Sequence, residues 1–128
     1  MVVRVVRLGS PRILGEGVRI GTVRRPPRGV RREEFAARDY YDTWLPLLAP
    51  SPDAVKLGLA ARTPADWRAF EARYRREMAR GDAAHALTTL AALSHTGDFS
   101  VGCYCEDETR CHRRVLRELL RERGARLA

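Results

Sequence analysis

The segment FSVGCYCEDETRCHRRVLRELL, residues 99–120, decides the fold. Its first seven residues, 99–105, alternate in character and predict a β-strand, and the polar residues 106–109 predict a loop. From about residue 110 to residue 123, apolar side chains return at helical spacing and predict a helix with one buried face. These side chains are Val115, Leu116, Leu119 and Leu120. A strand followed by a loop and a helix is typical of α/β proteins with a parallel sheet.

The residues before this segment supply further strands and helices of the same kind. Strands are predicted at 2–8 and 18–23, and helices are predicted to begin at Ser51-Pro52, at Thr63 and at about residue 82. The second of these helices carries an apolar stripe at spacings of three, four and four, formed by Trp67, Phe70, Tyr74 and Met78. No linker or repeat divides the chain. We therefore predict one compact α/β domain over residues 1–128, with a small, mostly parallel sheet flanked by helices.

The composition favours a folded protein with a basic surface. Of 128 residues, 45% are hydrophobic and 31% are charged, with a net charge of +8. Lys56 is the only lysine, and asparagine and glutamine are absent, so the charge reflects either compositional bias or attraction to anions such as nucleic acids. No apolar run is long enough to cross a membrane, and no signal peptide is recognisable. We expect a cytoplasmic protein without a membrane partner.

Three cysteines lie within nine residues, which does not suit a disulfide framework. Cys103 and Cys105 are two apart on the predicted strand and share a face, while Cys111 and His112 are expected in the first turn of the next helix. The helix N-terminus and the neighbouring arginines favour a thiolate there. Cys105, Cys111 and His112 are therefore the candidate catalytic residues.

The cysteine segment has three interpretations. The first is a reactive thiol with His112 as a proton carrier, and the second is packing of the cysteines as small apolar residues. The third is a tetrahedral metal site, for which the segment offers four N/S ligands. Adjacent residues on a helix diverge by about 100°, so we expect Cys111 and His112 not to share a metal, and we expect no cofactor. The spacing of the cysteines to Arg110 misses the tyrosine-phosphatase signature.

A second candidate site follows the second predicted strand. The arginines of the loop 24–29 can bind phosphate in a bidentate manner, although a solvated loop is the alternative. The aromatic segment 40–46 has two interpretations. Asp42 acts as an acid or base and the aromatic rings stack on a ligand, or the aromatic side chains anchor the segment to the rest of the protein. The candidate ligand-binding residues are Arg24, Arg25, Arg28, Arg113, Tyr41, Asp42 and Trp44.

Ordered blocks of the chain resemble the domain of unknown function 488 family. The blocks are residues 22–30, residues 41–51 with the pattern W-L-x-x-L-A-P-S, the helix W-x-x-F-x-x-x-Y from Trp67, and residues 103–113 with Cys-His-Arg. The resemblance covers about residues 18–123 and implies a small bacterial or archaeal α/β protein, without naming a reaction. Many members have an aspartate where this chain has Thr22, so a role for that carboxylate does not carry over.

Together these patterns favour an enzyme-like or ligand-binding protein. Its partner would be a phosphate-bearing small molecule or nucleotide, bound where parallel strands end and helices begin. The alternative is a non-catalytic nucleic-acid-binding module that uses an arginine-rich surface. Convergence of the arginines on the cysteine site favours the first hypothesis, and dispersal over the surface favours the second.

Overall fold

A computed structural model describes residues 1–128 as a four-stranded sheet flanked by helices. The strands are β1 (Val3–Arg7), β2 (Val18–Gly21), β3 (Thr43–Trp44) and β4 (Phe99–Cys103). Their order is β1-β4-β2-β3, and all three pairs of neighbours are parallel. The predicted α/β class and the parallel sheet are confirmed. The short β3 lies within the aromatic segment, where no strand was predicted.

Four helices complete the fold. They are α1 (Pro52–Ala60), α2 (Pro64–Met78), α3 (Gly81–Leu93) and α4 (His112–Glu122). Ser51 caps α1 by accepting a hydrogen bond from the Ala54 amide, and Thr63 forms a capping box with Asp66 at the start of α2. Each cap satisfies backbone donors that a helix N-terminus leaves free, so the predicted starts of both helices are confirmed. None of these helices is long and apolar enough to span a membrane.

The main core lies between the helices and one face of the sheet. Its sheet side includes Val3, Phe99 and Val101. Its helix side includes the predicted apolar faces of α2 and α4, except that Trp67 of the α2 stripe is only partly buried. The buried members are Phe70, Tyr74, Met78, Val115, Leu116, Leu119 and Leu120. Tyr74 is fully buried, and its hydroxyl donates to the Leu48 carbonyl at 2.7 Å, so its polar atom is also satisfied.

The opposite face of the sheet holds a buried ion pair. The Arg19 guanidinium on β2 contacts both carboxylate oxygens of Glu16, at 2.7 and 2.9 Å. Arg19 also donates to the carbonyls of Ser10 and Asp39, and the Ser100 hydroxyl on β4 donates to Glu16 at 2.8 Å. Arg19 is fully buried and Glu16 is 3% exposed. This network joins two strands to the loops that cover them.

The strands are shorter than predicted at their ends, and two of the differences from the sequence prediction, in β4 and α4, bear on the site. β4 ends at Cys103, so Cys105 lies in the following loop. α4 begins at His112, and Cys111 is its extended N-cap, with φ −138° and ψ 150°. Cys111 was expected in the first helical turn, but its thiol accepts a hydrogen bond from the Arg113 amide and acts as the cap. A capping position requires extended backbone, which periodicity does not reveal.

Candidate functional site

A cleft lies at the carboxyl edge of the sheet. It has a volume of about 1250 Å³ and is bordered by residues that follow β1, β2 and β4 and by residues of α1 and α2. Loops that follow parallel strands meet at this edge, which is where α/β proteins place ligands. The structure therefore brings the arginine loop 24–29 and the cysteine segment together around one space.

The lining of the cleft is strongly cationic. Six of its residues carry a positive charge and none is an aspartate or glutamate. The six are Arg7, Arg24, Arg25, Arg28, Lys56 and Arg110. Arg7 forms an exposed ion pair with Glu106 at 3.4 Å, whereas the other five have no carboxylate within ion-pair distance. The local field in the cleft favours anions.

Cys103, Cys111 and His112 form a buried cluster that borders this cleft. One ligand atom from each residue lies within 4.8 Å of the other two. The Sγ atoms of Cys103 and Cys111 are 2.8 Å apart, longer than a disulfide bond of about 2.05 Å, and Cys111 Sγ lies 3.9 Å from His112 Nδ1. The three residues are 3–7% exposed, so the cluster is almost closed to solvent.

The ring of His112 is held in one orientation. Its Nε2 lies 2.8 Å from the carbonyl oxygen of Thr22, and because a carbonyl only accepts, Nε2 carries the hydrogen and Nδ1 presents a lone pair. Tyr74 packs edge-on against the ring at a centroid distance of 5.4 Å. Burial lowers the pKa of His112 to about 4, so the ring is neutral at pH 7.

Cys105 is the exposed member of the cysteine set. Interaction with the neighbouring thiols of Cys103 and Cys111 lowers the pKa of Cys105, and the charge of Arg113 acts in the same direction. Interaction with Cys105 and Cys111 raises the pKa of Cys103, and burial adds to this increase. The Arg113 guanidinium is buried and donates to the carbonyl of Cys105, so it fixes the loop that carries this thiol. The arrangement places one accessible thiol over two buried ones.

Cys111 and His112 do not point apart in the structure, contrary to the sequence prediction. Adjacent residues diverge by about 100° only where both lie within a helix, and here only His112 does. The extended backbone of Cys111 turns its side chain toward Cys103, and the ligand atoms of the two neighbours converge. Cysteine is not among the residues usually preferred as N-caps, so the sequence did not indicate this geometry.

The predicted ligand-binding residues divide between the cleft and other places. Arg24, Arg25 and Arg28 line the cleft, whereas Arg113 is buried and reaches it only through its hydrogen bond to the carbonyl of Cys105, which is a lining residue. The remaining three, Tyr41, Asp42 and Trp44, do not line it. Tyr41 is buried, Asp42 binds the Arg12 side chain at 2.8 Å, and the Trp44 indole donates to the Val23 carbonyl. Tyr41, Asp42 and Trp44 therefore support the sheet and its loops and do not contribute to the cleft.

Several residues of the cleft were not predicted as site residues from the sequence. They are Arg7, Lys56, Trp67, Phe70, Tyr104 and Arg110. They come from β1, α1, α2 and the loop between β4 and α4, so their distance from one another in the chain conceals their meeting. Thr22 was noted only as a departure from the family pattern, yet its carbonyl orients His112. A residue that acts through its backbone leaves no side-chain signal.

We expect iodoacetamide to modify Cys105 in the folded protein at pH 7 and to spare Cys103 and Cys111. Cys105 is exposed and its pKa is lowered, whereas the other two thiols are buried. Peptide mass spectrometry after short labelling measures this, with Cys105→Ser as the control that removes the rapid phase. Labelling faster than that of free cysteine supports an activated thiol. Uniformly slow labelling of all three would contradict it and favour packing.

Comparison with known sequences places the chain in a family. The family described as the active DUF488-N3 subclade, DUF488-N3a, matches residues 3–124. No curated protein and no solved structure matches the chain. The match extends beyond the blocks that carry the sequence resemblance and includes every strand and helix and the whole cysteine segment. The chain therefore belongs to the DUF488 family, in the group described as its active N3 subclade.

Proposed function

We propose that the protein is an enzyme-like domain that binds a phosphate-bearing small molecule of the nucleotide class in the cationic cleft. One observation carries the proposal: six cationic side chains and no carboxylate surround a space that reaches the Cys/His cluster. A cleft lined by one sign of charge concentrates ligands of the opposite sign. The family description as an active subclade supports an enzyme rather than a structural module.

The arginine loop is organised before any ligand binds. The Arg24 guanidinium donates to the carbonyls of Ala49 and Pro50, each at 3.1 Å, and the Tyr104 hydroxyl donates to the Arg25 carbonyl at 2.9 Å. These contacts hold the loop while the exposed side chains of Arg25 and Arg28 have no ion-pair partner. Because the loop is already held, its backbone loses little conformational entropy when it binds phosphate, and the remaining cost is the ordering of the Arg25 and Arg28 side chains.

The rest of the cleft suits a flat or apolar group attached to the phosphate. Trp67 and Phe70 stack on each other with ring centroids 4.7 Å apart and contribute to its apolar wall with Val55 and Leu59. The indole Nε1 of Trp67 is buried and has no hydrogen-bond partner. An unpaired buried donor is costly, and an acceptor on a ligand would satisfy it. The volume of about 1250 Å³ accommodates a nucleotide.

The proposal predicts thermal stabilisation by small anions. Pyrophosphate and a nucleoside triphosphate should raise the melting temperature, because a ligand that binds only the native state at about 100 times its Kd adds about 2.7 kcal/mol. Arg25→Ala and Arg28→Ala should each remove most of this stabilisation. Differential scanning fluorimetry measures it. Arg68→Ala and Arg121→Ala are the matched controls, since both arginines are exposed and neither lines the cleft.

The competing function is a basic surface for nucleic acids, which the net charge of +8 favours. On that hypothesis many arginines contribute a little, and the logarithm of affinity for long DNA declines linearly with the logarithm of salt concentration. DNA binding at two salt concentrations by the same four variants separates the two functions. If all four variants lose a small and equal amount of DNA affinity, and small anions do not stabilise the protein, the ligand-binding cleft is contradicted and the nucleic-acid-binding surface is supported.

A further inference from the structure

We propose that Cys103, Cys111 and His112 bind a zinc-type divalent ion whose fourth coordination position faces the cationic cleft. The donor set is two sulfurs and one imidazole nitrogen, which suits zinc and related ions. One ligand atom from each residue already lies within 4.8 Å of the others. Two thiolates neutralise the charge of a divalent ion, so the centre would carry no net charge beside the cations of the cleft.

The distances require a small adjustment. With zinc–sulfur bonds of about 2.3 Å and zinc–nitrogen bonds of about 2.0 Å, tetrahedral ligand atoms lie roughly 3.5–3.8 Å apart. The observed 3.9 Å between Cys111 Sγ and His112 Nδ1 is close to that range. The two sulfurs, at 2.8 Å, need to separate by about 1 Å, which a small side-chain rotation provides.

The orientation of His112 is an independent indication of a metal ligand. Its Nε2–H is occupied by the carbonyl of Thr22, and its Nδ1 lone pair faces Cys111. Histidines that bind metals generally donate their second ring N–H to a carbonyl or carboxylate, which fixes the tautomer and the ring. A buried imidazole that only filled space would not need its free lone pair turned toward the Cys111 sulfur.

Backbone amides already point at both sulfurs. The Cys105 amide donates to Cys103 Sγ at 3.4 Å, and the Arg113 amide donates to Cys111 Sγ at 3.5 Å. In each case the donor lies two residues after the cysteine. Cys111 also sits at the N-terminus of α4, where the helix dipole favours negative charge. Amide donors in these positions would stabilise the two thiolates once they bind a metal ion, because the thiolate is the metal-binding form of cysteine.

Cobalt(II) titration of the reduced, metal-free full-length protein tests the proposal. We expect one equivalent to produce thiolate-to-cobalt charge-transfer absorption and the intense visible bands of a tetrahedral site. Inorganic phosphate should shift the visible bands if the fourth position is open. His112→Gln and Cys111→Ser should each lose the absorption at equimolar cobalt, and circular dichroism establishes that the variants are folded. Cys105→Ser is the matched control and should retain it.

Three outcomes would overturn the assignment. The first is folded, reduced wild-type protein that gives no tetrahedral cobalt spectrum. The second is cobalt binding that survives in His112→Gln but is lost in Cys105→Ser. The third is a cobalt spectrum that does not change when phosphate is added, which would show that the fourth coordination position is not open to the cleft. Metal binding by the three residues does not depend on anion stabilisation, so a cobalt site without anion stabilisation contradicts the proposed function alone.

Discussion

Glu16→Gln is expected to destabilise the protein by about 3–5 kcal/mol, because it leaves the Arg19 charge buried without its partner. Arg19 is fully buried and contacts both oxygens of Glu16. The pair is completed by Ser100 and by two backbone carbonyls, so the network has no spare partner for the guanidinium. Urea denaturation followed by circular dichroism measures the free energy of unfolding.

The matched control is Glu122→Gln. Glu122 also pairs with an arginine, Arg75, at 3.1 Å, but it is 55% exposed. Exposed ion pairs contribute about 0–1 kcal/mol, so this variant should be nearly as stable as the wild type. A loss at Glu16 no larger than the loss at Glu122 would show that burial of the pair does not determine its contribution.

The same carboxylate predicts a pH dependence. Burial raises the pKa of Glu16, but hydrogen bonds from Arg19 and Ser100 outweigh it, and the net effect lowers the pKa below its ordinary 4.5. The unfolded chain therefore binds the proton first as the pH falls, and the stability contributed by the pair is present above about pH 4.5 and lost below it. Glu16→Gln should be less stable at pH 7 and should lose less stability on acidification. Identical pH profiles would contradict this linkage.

Local patterns predicted the elements that depend on local physics. The apolar faces of α2 and α4 follow from side-chain burial at a period of 3.6, and both are observed in the structure. The strand predicted at 99–105 is observed at Phe99–Cys103, but all five of its residues are buried, so the alternation of residue types there does not reflect one buried and one exposed face. Ser51 and Thr63 predicted the starts of α1 and α2 because a cap acts on residues immediately after it. The parallel sheet followed from the succession of these elements.

The meeting of distant residues could not be read from the same patterns. Glu16 and Arg19 look like ordinary surface charges until Ser100, 84 residues after Glu16, joins them. Likewise Thr22 and His112 are 90 residues apart, and only the pairing of β2 with β4 brings them together. The sequence therefore predicted that Cys111 and His112 belong to the cluster at the cleft, but it did not predict how their side chains are arranged.

Gly17 allows the chain before β2 to pass close to the backbone before β4, a contact that the sequence did not indicate. Gly15 and Gly17 both have positive φ, +80° and +81°, so alanine at either position introduces strain of about 1–2 kcal/mol. A Cβ at Gly15 would meet no atom within 4 Å, whereas a Cβ at Gly17 would lie 2.0 Å from the carbonyl oxygen of Asp98. That oxygen belongs to backbone just before β4, which cannot move without disturbing the sheet.

Gly17→Ala should therefore destabilise the protein by about 2–5 kcal/mol, the sum of backbone strain and overpacking, and Gly15→Ala by about 1–2 kcal/mol from backbone strain alone. The two variants share a residue type, a substitution and a backbone conformation, so their difference in urea denaturation isolates the contact with Asp98. Gly17→Ala should also reduce the thermal stabilisation of the protein by small anions, because β2 and β4 lead into the two loops that form the cleft. Equal losses in the two variants would mean that the loop before β2 shifts freely and that the close approach to β4 does not constrain the sheet.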